Sequence, residues 1–296
     1  MANAFSKLAF LRWGIRGFDI LVLLAYPTLG AVFALPELTF AAAARLIVFS
    51  GLNVLFLTHI YLINDWSDAR LNPEEPHQRK VQALKRPELI SERQILVLAA
   101  LLLAAASAGF FFLSRELFLL GLIIAALTLL YSHPRANCKG VPVLSTFIHL
   151  AFAVLYFLGG WVLFRPVSLP AAAIGLFFGL VLSAGHFSNE IQDFSSDLQA
   201  RIRTNAISFG QRLVFRVGLT LFLLSSIYFL ALIREGCLPR SFTPIGWIII
   251  LLWIIQTIRY RGWKGGDSIL AFRSFYRWVY ALAAFAMLVL LWWEKR

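Results

Sequence analysis

The chain has 296 residues, of which 60% are hydrophobic and only 14% charged, with a mean hydropathy of +0.77. Soluble domains carry about 25% charged residues, so this composition excludes an ordinary soluble globular protein and belongs in a bilayer. The formal net charge of +12 is not a nucleic-acid signal, because Lys and Arg sit between apolar segments, where they set membrane topology.

In chain order, apolar stretches of spanning length fall near 18–36, 40–63, 93–113, 117–132, 142–164, 169–188, 213–233, 243–258 and 272–293. Each approaches the roughly 20 residues that cross a hydrocarbon core. Lys7, Arg12 and Arg16 precede the first stretch without a convincing small-residue cleavage site, which favours an uncleaved first span. No Gly/Ser-rich, Pro-rich or Gln/Asn-rich linker interrupts the pattern. The expectation is an all-α polytopic membrane protein, one integral membrane domain over 1–296 with nine transmembrane helices. With the N-terminus cytoplasmic, the inner segments collect most of the 27 Lys and Arg. The outer side keeps Arg45, Arg115, Arg165, Arg234, Arg240, Lys295 and Arg296, and the C-terminus lies outside. Cys138 and Cys237 then face opposite sides, which argues against a disulfide.

The second and sixth spans end in similar stretches. One reads Asn64-Asp65-Trp66-Ser67-Asp68-Ala69-Arg70-Leu71-Asn72, the other Asn189-Glu190-Ile191-Gln192-Asp193-Phe194-Ser195-Ser196-Asp197. On a helix, positions 64, 68 and 72 share a face, as do 189, 193 and 197, with Asp65 and Glu190 a quarter-turn round. Both boxes open on the same expected cytoplasmic face. Carboxylates at membrane depth are costly and by default functional. Asp65, Asp68, Glu190, Asp193 and Asp197 would repel one another unless protonated or neutralised by bound cations. An all-oxygen set suits Mg²⁺, which takes carboxylates, water and phosphate oxygens. The metal-ligand candidates are therefore Asp65, Asp68, Asn72, Glu190, Asp193 and Asp197.

Arg86, Lys139 and Arg203 lie near the boxes and could hold diphosphate oxygens. Asn53, three turns before Asn64 on roughly the same face, is a candidate contact for an acceptor or prenyl chain. His59 and His186 read most plainly as hydrogen-bonded helix residues. A cation- or proton-coupled transporter using the same acidic boxes is the alternative, although transporters usually place their acids near the midplane.

The motifs together resemble the UbiA superfamily of intramembrane prenyltransferases. Asn64, Asp65 and Asp68 match the family's NDxxDxxxD, with Asn72 standing where the last Asp is usual. Lys85-Arg86-Pro87-Glu88-Leu89-Ile90-Ser91 resembles its RP segment, and Tyr131-Ser132-His133-Pro134 with Lys139-Gly140 resembles the turn after its fourth span. Asn189 to Gly210 resembles the second box and its tail, including Asp193, Asp197 and Arg203-Thr204. The resemblance implies nine helices around a central cavity and Mg²⁺-dependent transfer of a prenyl group from its diphosphate. The acceptors it implies are aromatic quinone precursors, a chlorin or haem, a polar lipid headgroup or a phosphosugar, and box two resembles the quinone- and chlorin-type branches most. It also implies catalytic roles for Asp65, Asp68, Asp193, Asp197 and Lys139, and substrate contacts from Asn64, Arg86, Tyr131, Asn189 and Arg203. The expected partners are the prenyl diphosphate, a small-molecule acceptor and the lipid bilayer, with no nucleic acid and no obligate protein partner.

Overall fold

The computed structural model of the chain describes residues 17–71, 91–263 and 268–294. Asn72 and Arg86, both expected at the site, lie outside the described residues.

Among the described residues the structure is helical, with no strand. The helices are α1 (Gly17–Ala34), α2 (Phe40–Leu71), α3 (Glu92–Leu113), α4 (Arg115–Ser132), α5 (Leu144–Trp161), α6 (Leu169–Gln192), α7 (Phe194–Gln199), α8 (Asn205–Phe209), α9 (Gln211–Arg234), α10 (Thr243–Arg259) and α11 (Ser268–Glu294). Eight described helices are long and apolar enough to cross a membrane: α2 to α6, α9, α11, and α10 together with the turn that leads into it. The first of the nine expected spans occurs as α1, whose described apolar part, Asp19–Ala34, is shorter than the rest. The chain is an integral membrane protein.

Helix boundaries follow from local chemistry. Ser91 and Gln94 form a capping box at the start of α3, satisfying backbone N–H groups that have no partner within the helix. Ser114 is extended (φ −166°, ψ 139°), which ends α3, and its Oγ accepts the Leu117 N–H at 3.3 Å to start α4. Ser168 caps α6, and Pro170 stands in its first turn, where a missing N–H costs nothing. At 32 residues, α2 is about 48 Å long and exceeds a hydrocarbon core of about 30 Å. Its terminal box can therefore stand clear of the lipid tails.

The side chains form two main apolar clusters, one around Phe49, Phe56 and Phe110, the other around Phe157, Phe177, Phe222 and Trp253. At the end of the bundle opposite the boxes, α1 and α5 cross in backbone contact. A Cβ on Gly160 would meet the Pro27 carbonyl, and one on Gly30 would meet that of Phe157. Small residues permit such approaches between membrane helices, where packing rather than the hydrophobic effect drives association. This crossing holds one end of the bundle tight and leaves the other free to open.

Candidate active site

Box one lies at the end of α2, and its polar groups orient one another. Ser132 Oγ donates to Asn64 Oδ1 at 3.1 Å, which turns the Asn64 amide so that Nδ2 donates to Asp68 Oδ2 at 3.2 Å. The other Asp68 oxygen receives Lys139 Nζ at 3.3 Å. Ser67 donates to the Ser132 carbonyl, tying α2 to the end of α4. Trp66 Nε1 donates to Glu92 Oε1 at 2.9 Å, and Arg70 reaches the same oxygen at 3.1 Å, fixing the start of α3 to the box.

Lys139 sits in the turn between α4 and α5, within the short 3₁₀ segment Cys138–Gly140. That turn is conformationally demanding, with Asn137 at φ 41° and Val143 at φ 67°. Asn tolerates the left-handed region, whereas a β-branched residue there is a true outlier held by its surroundings. The holding group is Asn205, whose Oδ1 accepts the Val143 N–H at 2.7 Å.

Box two was expected on one helical face, but the helix breaks within it. Asp193 ends α6 and opens α7. Backbone bonds from Asp193 N–H to the Asn189 carbonyl and from Asp197 N–H to the Asp193 carbonyl, at 2.9 and 2.8 Å, preserve the i, i+4 stacking through the bend. Asp197 comes within 3.8 Å of Lys139. One ammonium therefore stands between Asp68 of box one and Asp197 of box two, and the two boxes meet at one end of the bundle.

The charges of this cluster shift one another. Burial opposes the charge on Lys139, but the Asp68 and Asp197 carboxylates outweigh it and hold the ammonium above the ordinary lysine range. The Asp197 carboxyl is pushed up to about 7 by burial and by Asp193, Asp68 and Glu190, against the pull of Lys139.

Glu190 has a different environment from the one expected of a metal ligand. Its Oε1 accepts Asn205 Nδ2 at 2.9 Å and lies 3.0 Å from His186 Nε2, while Oε2 accepts the Ala206 N–H at 3.2 Å. Both oxygens are engaged, and the side chain is buried. Glu190 thus anchors Asn205, and through it the Lys139 turn.

Beneath the boxes lies a cavity of about 1090 Å³. Its polar end is lined by Asn64, Asp68, Tyr131, Lys139, Asn189, Glu190, Asp193 and Asp197. Its deeper wall is largely apolar and aromatic, with Tyr26, Phe152, Phe177, Phe178, Tyr276 and Tyr280 among the lining. Leu21 on α1 and Trp278 and Phe285 on α11 also border it and are exposed on the outer surface of the bundle. The cavity therefore opens sideways between the first and last helices.

Three expected site residues are not on this wall. Asp65 is buried and absent from the lining. Asn53 donates back to the Phe49 carbonyl at 2.8 Å and borders a separate small void beside Phe56 and Phe110. Eleven residues before Asn64, it lies about 16 Å along the helix from the box. Arg203 is exposed and outside the cavity. His59 donates through Nδ1 to the Ala99 carbonyl at 2.8 Å, the plain helix-residue role expected of it.

Sequence reading missed Ser132, which orients Asn64; Asn205, which secures the turn; and His149, which lines the cavity. Ser132 lay inside the recognised Tyr131-Ser132 motif, where its hydroxyl was the available signal. Asn205 and His149 carry none in their spacing.

A divalent cation is consistent with this donor set. Asn189 Oδ1 and Asp197 Oδ2 are buried and have no hydrogen-bond partner among the described residues, and both residues line the cavity. Among the described residues no three His, Cys, Asp or Glu side chains are already gathered as a metal site. Such a site suits a hard ion that keeps water and substrate oxygens in its shell.

The UbiA prenyltransferase family model matches residues 24–279, most of the chain. No curated protein matches it significantly. Among solved structures, a UbiA homolog from Archaeoglobus fulgidus bound to DMAPP and Mg²⁺ superposes with a TM-score of 0.70 at 16% identity, covering 95% of this chain and 99% of its own. A digeranylgeranylglyceryl phosphate synthase gives 0.74 at 15% identity, with 99% of each chain covered. The apo UbiA homolog from Aeropyrum pernix K1 gives 0.71 at 18%, covering 93% and 98%. These likenesses establish a shared fold, and the family match extends through both boxes and the turn between them. The chain belongs to the UbiA prenyltransferase family.

Proposed function

We propose that the protein transfers a prenyl group from an allylic prenyl diphosphate to a small-molecule acceptor, an aromatic quinone- or chlorin-type precursor, inside the membrane. The observation that carries this reading is Lys139 standing 3.3 Å from Asp68 and 3.8 Å from Asp197 at the head of an apolar, laterally open cavity. Diphosphate needs a charged, oxygen-rich end, and its isoprenoid tail needs an apolar one.

Asp68, Asp193 and Asp197, with Asn64 and Asn189, would hold Mg²⁺; a UbiA homolog of the same fold was solved with DMAPP and Mg²⁺. When bound, Mg²⁺ neutralises charge on the departing diphosphate. Lys139 supplies a fixed positive charge to the same oxygens. Asn64 and Ser132 orient Asp68, while Glu190 and Asn205 secure the turn that carries Lys139. The apolar walls exclude water from the allylic carbon, and Tyr131 presents a ring face there that favours positive charge. Arg86 retains its motif-based assignment as a further contact to the diphosphate end, whereas Asp65 and Arg203 lie off the cavity wall. The charge distribution places the N-terminus and the boxes on the cytoplasmic side and the C-terminus outside.

The test is prenyl transfer by the purified protein, with labelled geranyl, farnesyl and geranylgeranyl diphosphates, a panel of acceptors, and Mg²⁺ or EDTA. Product formed with Mg²⁺ and absent with EDTA supports the reading. Cation binding without diphosphate release, with every acceptor, would move the protein to the transporter class.

A further inference from the structure

We propose that His149 is the proton acceptor of the transfer reaction, an inference that rests on the prenyl-transfer reading above. Prenylation of an aromatic carbon or a hydroxyl oxygen releases one proton, and in this reading the box carboxylates and Lys139 are committed to Mg²⁺ and the diphosphate. The imidazole of His149 is committed to neither.

The tautomer follows from its partners. His149 Nδ1 lies 2.8 Å from the Ser145 carbonyl. A carbonyl can only accept, so Nδ1 carries the proton and Nε2 keeps its lone pair. Among the described residues Nε2 has no hydrogen-bond partner, and the residue lines the cavity.

The ring is also held in place. It stacks on His186 with centroids 3.8 Å apart and planes 17° from parallel, and Tyr131 meets it edge-on at 4.9 Å. His186 is in turn fixed by Glu190 at 3.0 Å, so Glu190 and His186 are positioning residues for His149. Depth is right as well. His186 precedes Asn189 by three residues, about 4.5 Å further into the bundle. The allylic carbon is bonded directly to the diphosphate, so it lies just beneath the carboxylate layer, at the level of the stacked rings.

The step balances. The C–O bond of the prenyl diphosphate breaks and its electron pair leaves with the diphosphate. The acceptor atom supplies the pair for the new bond to the allylic carbon. The proton on that atom passes to His149 Nε2, and its former bonding pair restores the acceptor's aromaticity or oxygen lone pair. The imidazolium keeps its bond to Ser145 and gives up its proton when the product leaves.

The experiment first measures Mg²⁺-dependent binding of geranyl thiolodiphosphate, an analogue that ionises slowly. Failure to bind overturns the prenyl-diphosphate reading and this inference with it. If the analogue binds, diethylpyrocarbonate labelling with site-resolved mass spectrometry should modify His149 in the free protein and spare it in the complex. A His149 that is unreactive in both, or equally reactive in both, overturns the assignment. With 4-hydroxybenzoate as the acceptor probe, His149→Gln should bind the analogue unchanged yet lose turnover about 10²- to 10⁴-fold. The residual reaction should show a primary isotope effect when the ring position beside the hydroxyl is deuterated, because proton loss has become slow. Wild-type turnover in His149→Gln overturns the proposal, and if the probe is not prenylated by the unaltered protein, the protection result decides alone.

Discussion

Asn205 joins Glu190 to the Lys139 turn: its amide nitrogen donates to Glu190 Oε1 at 2.9 Å, and its amide oxygen accepts the Val143 N–H at 2.7 Å. Replacing it with Ala would leave the Val143 N–H without its partner and take one donor from Glu190 Oε1, which keeps His186. An orphaned backbone group costs about 1–3 kcal/mol. Asn205→Ala should therefore lower the melting temperature in detergent and reduce kcat through a displaced Lys139. An unchanged Tm would show that the turn is held by other contacts.

Lys139 is a point charge between two carboxylates, a place that a planar guanidinium does not fit. Lys139→Met should lower kcat/KM by about 10²–10³, and Lys139→Arg should recover only part of it. Full recovery with Arg would mean that charge alone, and not its position, matters.

Asp197 makes the site sensitive to pH. Its folded-state carboxyl, at about 7, lies above the unfolded value, so the folded chain holds this proton more tightly. Its contribution to stability is complete below the ordinary carboxylate range and is lost as pH rises through about 7. Mg²⁺ competes with the proton for the same oxygens. Without Mg²⁺, the Tm should fall as pH rises from about 4 to about 7 and level off above it, and Mg²⁺ should reverse the fall. Mg²⁺ affinity, measured by calorimetry, should rise over the same range and level off above it. Asp197→Asn should flatten both profiles.

The Gly160–Pro27 crossing sets the closed end of the bundle. Gly160→Leu forces a side chain into backbone that cannot retreat, at roughly 3 kcal/mol. The variant should unfold at clearly lower temperature. A Tm equal to that of the unaltered protein would show that α1 can move away from α5 freely.

The parts of the site legible in the sequence were those written at short range. The i, i+4 repeats of both boxes survive because helical stacking is local, and even the bend at Asp193 does not disturb it. Lys139 could be placed through the motif that surrounds it. Glu190 could not be separated from its box by spacing, because its partner Asn205 comes fifteen residues later, at the start of the short helix α8, where no periodic signal marks it. Asn53 shares a face with Asn64, yet a helix position carries no information about a side chain that folds back on Phe49. His149 is the single histidine on a largely apolar helix, and only its packing against His186 and Tyr131 distinguishes it. The helices were legible almost throughout, because apolar length is a one-dimensional property. The cavity edge at α1 and α11, where Arg277 meets Asp19 at 3.4 Å, depends on contacts between the two ends of the sequence, and no local pattern records that.

The central claim is that both boxes act on one diphosphate. The direct measurement is Mg²⁺-dependent binding of geranyl thiolodiphosphate to the unaltered protein, to Asp68→Ala, to Asp193→Ala and to the double variant. Residues that share one ligand are strongly non-additive. Each single change should abolish measurable binding, and the double variant should be no worse than either alone. Binding that survives loss of either aspartate, with small and additive effects, would contradict the account.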